Sequence, residues 1–550
     1  MLATQTPVET LLLRAQQTPD APWLHQSING VWRAWTYREI ADQVMRMASA
    51  IQALGIPQGS AIGIGGRNTA HWFMADLAIA AAGCISVGLY PKQSAEHLSY
   101  ILAHCEAKAV VVGPMMDPAE FMDVLPPELV TIRMPYPDAP PCQLEWDALV
   151  SGNMPMAKPI IRGPEELMTL VYTSGTTGHP KGVMINWNNA VFTINGLIES
   201  MPPKKEEIFF SYLPLAHMFE RGAVELSSLY LGAQIYFLEH LEKLPEQLAF
   251  VRPTRFFGVP LVYTRIQAGV LKKMPQEKLD KLLKIPILSG IIKKKIKRAI
   301  GLDRAWLVFS GAAAMPKPLI EWFSKIGIEV LQGYGMTENS IYASANLPGA
   351  NRIGSVGREN PGANTRIAAD GEIQYKHPGV MSGYYKEPEK TRETFTEDGY
   401  LRTGDKGRLD ADGYLYITGR TKDIFKTMKG KYVAPAPIEG ALSRNTDIEQ
   451  LCFTGSDLKQ PIMLVTLSEA GRRKSREEVE RGLISEMEAV NSTLEPHEAI
   501  AKIVVVKEAW TIENSLMTPT MKVKRNEIDK RYGALIAKEG ETRGKVSWES

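Results

Sequence analysis

The stretch Leu167-Met-Thr-Leu-Val-Tyr-Thr-Ser-Gly-Thr-Thr-Gly-His-Pro-Lys-Gly182 decides how this chain is read. Its first five residues are an apolar run of the length of a buried strand. Thr173, Ser174, Gly175, Thr176, Thr177 and Gly178 then follow, all hydroxyl residues or glycines. Glycines let backbone N–H groups approach an anion, hydroxyls add donors, and Lys181 supplies a point charge. A Walker A loop would need Gly-Lys-Ser/Thr, but here Pro180 precedes Lys181 and Gly182 follows it. The expectation is a strand followed by a cradle for phosphate oxygens.

Outward from that loop, helix-length segments alternate with short β-rich runs as far as about residue 420. These runs are Ala109–Val112, Leu167–Tyr172, Ile208–Tyr212, Gln234–Leu238, Thr254–Val259 and Trp306–Ser310. The alternation predicts an α/β fold with mostly parallel sheets flanked by helices. Between Gly399 and Tyr416 the pattern turns hairpin-like, with Asp398-Gly399, Gly404-Asp405 and Asp412-Gly413 read as turn pairs, so a β-rich subdomain is expected there. The remaining length suffices for a small α+β domain, giving expected domains 1–420 and 421–550.

The 550 residues are 44% hydrophobic and 23% charged, which excludes a disordered chain. Lys+Arg 63 against Asp+Glu 61 leaves a net charge of +2, so no global field recruits nucleic acid. The oligomeric state is left open. Cys84, Cys105, Cys142 and Cys452 are widely spaced, which argues against a zinc site or disulfide framework and for a cytoplasmic setting. Thr6, Pro7 and Glu9 read as a capped helix start, not a signal peptide. The run from Phe73 to Tyr90 reads as a buried helix and strand, not a membrane span. The basic segment 291–298, Ile-Ile-Lys-Lys-Lys-Ile-Lys-Arg, is either a solvated helix face or a peripheral contact with the inner face of a membrane.

The loop at 172–182 resembles the signature of the adenylate-forming, AMP-binding superfamily. Further family elements follow in order: Gly333-Tyr-Gly-Met-Thr-Glu338, Tyr400-Leu-Arg-Thr-Gly-Asp405 with Asp412-Gly413, and Gly419-Arg420-Thr-Lys422-Asp423. The resemblance covers almost the whole chain. It implies a large AMP-binding domain and a small mobile domain carrying a catalytic lysine. It also implies that ATP and Mg²⁺ activate an acid before transfer to coenzyme A.

Residue by residue, the resemblance puts Thr173 to Gly178 and Lys181 around the β- and γ-phosphates. Thr337 goes to the α-phosphate and Glu338 to Mg²⁺, although Glu338 alone could equally be a helix N-terminal acid. Tyr334, between Gly333 and Gly335, is implied to stack on adenine, with Gly311, Ala312 and Ala313 opposite. Asp405 and Arg420 are implied at the ribose. Lys422 would be the hinge, with Gly430 and Lys431 on the CoA side. Met517-Thr-Pro-Thr-Met-Lys522-Val-Lys524 lacks the Ser-Gly-Lys of many relatives; Lys522 is the expected catalytic lysine and Lys524 the alternative.

The acid is suggested by Leu213-Pro-Leu-Ala-His217-Met-Phe-Glu220-Arg221, Arg252-Pro-Thr-Arg-Phe-Phe-Gly-Val-Pro260 and Lys431-Tyr-Val-Ala-Pro435, which resemble long-chain fatty acyl-CoA synthetases. Ala436 departs from that pattern. Phe256, Phe257 and Val259 are expected to wall an acyl channel. His217 either gates the acid site or is a hydrogen-bonded core histidine. The alternatives are a ligase for aryl or other acids, an acyl-AMP ligase serving a carrier protein, and a non-catalytic nucleotide-binding scaffold.

Overall fold

Thr6 begins the first helix, Pro7–Gln17. Its hydroxyl accepts from Glu9 N, and the Glu9 carboxylate accepts from Thr6 N at 2.8 Å, closing a capping box. The computed structural model describes residues 5–173, 179–204, 206–428, 430–456, 458–518 and 522–549. Among them, two large sheets dominate the N-terminal portion.

The nine-stranded sheet has a parallel centre. Its strands run side by side as Val330–Tyr334, Leu307–Ser310, Arg255–Gly258, Ile208–Ser211, Gln234–Phe237 and Pro22–Ile28. Antiparallel strands close both edges. The eight-stranded sheet is parallel from Leu167–Thr173 through Ile85–Leu89, Ala61–Gly65, Ala109–Val112 and Val130–Arg133 to Leu144–Glu145. Lys181–Asn186 and Gly383–Tyr384 extend it antiparallel.

Helix Ala70–Ala81 lies between the sheets, and all its residues except Ala80 are buried. That placement explains why the segment from Phe73 lacks a polar face, since a helix covered on all sides needs none. The strand Ile85–Leu89 follows it, as expected. Among the described residues no helix is long and apolar enough to cross a membrane.

A four-stranded antiparallel sheet, Asn364–Ile367, Glu372–Lys376, Leu401–Leu409 and Leu415–Arg420, forms the β-rich region. Gly404-Asp405 corrects the sequence reading here. It is not a turn between strands but lies inside Leu401–Leu409, with Gly404 at φ +69° and Asp405 opposite Arg420 in the ladder. Gly404 thus takes a conformation costly for other residues without interrupting the strand.

Beyond Phe425, separate hydrophobic clusters take over. Ile448–Thr454, Ile462–Leu467, Ile503–Val505 and Val546–Trp548 form one sheet, covered by helices Arg476–Asn491 and Arg525–Glu541. The result is an α/β molecule with a large N-terminal portion and a smaller C-terminal one.

Candidate active site

The parallel strands Ile208–Ser211, Arg255–Gly258, Leu307–Ser310 and Val330–Tyr334 end at one edge, with Gly258 beside Ser310 and Ser310 beside Gln332. The carboxyl edge of such a sheet is where loops gather around ligands. Here the loops carry His217, Gly311–Ala313 and Thr337–Glu338.

Thr173 and Lys181 end and begin adjacent strands and face each other in the ladder. Ser174, Gly175, Thr176, Thr177 and Gly178, predicted at the phosphates, lie outside the described residues. The Lys181 ammonium sits 4.6 Å from the centre of the Tyr384 ring. Desolvation lowers its pKa, partly opposed by the Glu338 carboxylate and reinforced by Lys422.

Tyr384 was not foreseen from the sequence. Its strand pairs with Lys181–Asn186, bringing Tyr384 opposite Val183, and its hydroxyl donates to Glu338 Oε1 at 2.8 Å. Glu338 lies in the single turn Thr337–Asn339, where Met336 N donates to Asn339 Oδ1 at 2.9 Å. Its main-chain oxygen accepts from Met381 N. The turn is therefore fixed from both sides, and Thr337 and Glu338 are both buried.

Gly335 is required by packing, because a Cβ there would lie 2.3 Å from the Ile341 main-chain oxygen. Tyr334 donates to Asp405 Oδ2 at 2.6 Å, and Arg420 Nε donates to Asp405 Oδ1 at 2.7 Å. Burial and the Asp405 charge hold the Tyr334 phenol well above its ordinary pKa. Burial disfavours the Arg420 charge, but Asp405 overcomes this and raises its pKa. The adjacent Gly311 faces the Phe219 ring, Ala312 takes φ +64°, and Ala313 is exposed.

His217 caps the short helix Met218–Glu220, its Nδ1 accepting from Phe219 N at 3.1 Å. Desolvation, then the Lys522 charge, lowers its pKa to about 3, so the ring is neutral at physiological pH. Glu220 Oε1 accepts from Ser211 Oγ at 2.7 Å and Tyr212 N at 3.1 Å. Burial nevertheless pushes its pKa up to about 8. Arg221 is buried and donates to both Asp76 carboxylate oxygens, to Thr169 Oγ1 at 2.6 Å and to Ser86 Oγ at 2.7 Å. It ties the His217 segment to the other large sheet.

Phe256 and Phe257 correct the expected single wall. Neighbouring strand residues face opposite sides. Phe257 packs with Phe209, Phe309 and Phe219, the last of which faces Gly311, whereas Phe256 packs with Tyr212 and Tyr263 on the helix side. Val259 is half-buried and touches both clusters.

Lys522 reaches this edge from the C-terminal portion. A Met517–Val523 bridge and the Thr518 N to Lys522 O hydrogen bond support it. Its side chain is open to the cleft yet surrounded by protein. Desolvation, then Arg420, lower the ammonium pKa to about 8, against the pull of Asp405 and Glu338. Lys524 instead influences His97. Lys92 Nζ meets Glu513 Oε1 at 2.5 Å across the two portions. Lys422 is exposed, and its charge acts on Lys181. Gly430 and Lys431 lie in the exposed turn of the Phe425–Lys426 and Tyr432–Val433 hairpin, and Gly430 takes φ +76°. Both bond Thr427 within the C-terminal portion: Gly430 N donates to Thr427 O, and Lys431 O accepts from Thr427 N.

A profile of the family described as AMP-binding enzyme matches residues 12–385, and one described as AMP-binding enzyme C-terminal domain matches 422–539. Long-chain-fatty-acid–CoA ligase 5 of Rattus norvegicus is 30% identical over 91% of this chain and 83% of its own length. Long-chain-fatty-acid–CoA ligase FadD15 of Mycobacterium bovis is 29% identical, covering 94% of each chain. The solved anthranilate CoA ligase AuaEII with anthranoyl-AMP shares the fold, with a TM-score of 0.79, 21% identity, and coverage of 96% of this chain and 97% of that one.

Proposed function

The chain belongs to the AMP-binding enzyme family, and from that premise we propose that it is an AMP-forming long-chain fatty acid–CoA ligase. In the first half-reaction a carboxylate oxygen of the acid attacks the α-phosphorus of ATP and pyrophosphate leaves. In the second, the thiol of coenzyme A attacks the acyl carbonyl and AMP leaves. The observation that carries this reading is the position of Lys522. Its ammonium arrives from the C-terminal portion at a cleft already holding Glu338, Asp405 and Arg420, and it feels all three.

In the proposed roles, Lys522 bridges the acid carboxylate and the α-phosphate, offsetting charge that grows in the transition state. Thr173, Lys181 and residues 174–178 between them hold the outer phosphates, and Thr337 the α-phosphate. Asp405 accepts both ribose hydroxyls, since its two oxygens match a vicinal diol, and Arg420 keeps that carboxylate oriented. Tyr334 packs against adenine from one side and Gly311–Ala313 from the other.

Mg²⁺ fits the donor set: Glu338 offers a hard carboxylate with one oxygen anchored by Tyr384, and this ion commonly takes one or two carboxylates plus phosphate oxygens. When bound, it would neutralise the phosphates. Neutral His217, beside Phe219 and Phe257, borders the acid side without adding charge. Lys422 is the proposed hinge about which the C-terminal domain, residues 421–550, turns to bring Gly430 and Lys431 towards the acyl-AMP for CoA attack.

The test is acid-dependent pyrophosphate release across chain lengths and aryl acids, followed by thioester formation with CoA or a carrier protein. Release with long-chain acids and transfer to CoA supports the proposal. Preference for aryl acids, or transfer only to a carrier, would replace it. Lys522→Ala should nearly abolish acyl-AMP formation while sparing conversion of supplied acyl-AMP to thioester.

A further inference from the structure

We propose that the helical hairpin Gln276–Leu283 and Pro286–Ala299 docks the enzyme on an anionic lipid surface. Its inner side is anchored by Leu279 and Ile296, both buried in the helix-side core, with Leu283 and Ile292 packed against the same cluster. Its outer side is apolar and basic together. Ile285, Ile287 and Ile291 are 50%, 84% and 58% exposed. Ile287, Ile291, Lys294, Lys295 and Arg298 recur at helical spacing, so they form one stripe. Lys281 and Lys284 border the connecting turn and are exposed too.

Charge complementarity selects the occupant. From residue 272 to 304 there are eleven basic residues against three acidic ones. Of the acids, Asp303 is already engaged by Arg252 and Arg298, and Asp280 accepts from Gln276. Among the described residues no ion pair engages Lys281, Lys284, Lys294 or Lys295. Exposed isoleucines without exposed aromatic rings offer nothing for stacking bases, and a nucleic acid would leave them in water. A lipid interface accepts both halves of the stripe: the isoleucines enter the acyl boundary and the lysines meet the headgroups.

The inference is independent of the proposed reaction, because binding is measured without ATP or acid. The full chain is floated with vesicles of phosphatidylcholine alone and with about one third phosphatidylglycerol, at low and high salt. Ile287→Asp/Ile291→Asp and Lys294→Glu/Lys295→Glu are compared with the parent; all four side chains face solvent, and thermal melting verifies folding. The parent should partition into anionic vesicles at least about tenfold better than into neutral ones, and each double variant should lose about tenfold or more. High salt should weaken the parent's preference. Equal binding to both vesicle types, or binding of both variants equal to the parent's, overturns the proposal. So does a vesicle-free dimer that Ile287→Asp/Ile291→Asp converts to monomer, since the stripe would then be a self-contact.

Discussion

Tyr384 donates its hydroxyl to Glu338 Oε1 at 2.8 Å, linking a sheet-edge strand to the single turn that follows another sheet. A hydrogen bond to a carboxylate contributes about 1.5 kcal/mol or more. Tyr384→Phe should therefore raise the Mg²⁺ concentration needed for half-maximal pyrophosphate release roughly tenfold, with melting lowered by no more than a few degrees. A Mg²⁺ titration of both forms checks this; superimposable curves remove Tyr384 from the positioning of Glu338.

The Lys522 ammonium pKa is lowered to about 8. As pH rises through that value the lysine loses its charge, so kcat/KM for acyl-AMP formation should fall about tenfold per unit above it. Lys522→Arg keeps its charge and should flatten that limb even if its rate is lower. Pyrophosphate release between pH 6.5 and 9.5 measures both profiles.

The Lys92–Glu513 pair joins the two portions in the arrangement that brings Lys522 to the cleft. The side chains are 45% and 60% exposed, so the pair contributes no more than about 1 kcal/mol. Lys92→Glu should slow acyl-AMP formation up to about fivefold and leave thioester formation from supplied acyl-AMP unimpaired. Lys92→Glu/Glu513→Lys should restore the first step. If the swap restores nothing, the pair does not bias the arrangement.

Arg221 supplies a stability test. Arg221→Met leaves the Asp76 carboxylate buried without its partner, at a cost of about 3–5 kcal/mol. Melting should drop by several degrees. Asp76→Leu/Arg221→Met should recover much of the loss, because removing both charges removes the desolvation penalty. Calorimetry of the three forms checks it.

Much of this architecture was readable from local pattern. The strand before Thr173, the buried helix ahead of Ile85 and the Thr6–Glu9 cap each follow from neighbouring residues. The sequence motifs single out Tyr334, Asp405 and Arg420, and the structure joins them by hydrogen bonds through the Asp405 carboxylate. Tyr384 escaped because its place depends on pairing with Val183, about 200 residues away, and no period announces such a partner. Gly404-Asp405 reads as a turn because glycine beside aspartate signals one locally, while the ladder to Arg420 is set by pairing with the next strand. The split of Phe256 from Phe257 was hidden by expecting adjacent aromatics to act together.

That split divides the work of redesign. Trimming or enlarging Phe257 changes the packing of Phe209, Phe219 and Phe309, the ring cluster that meets Gly311 through Phe219. The same change at Phe256 disturbs Tyr212 and Tyr263 in the opposite layer. Two rings adjoining in the chain thus belong to separate engineering problems, because a substitution at one leaves the ring partners of the other in place.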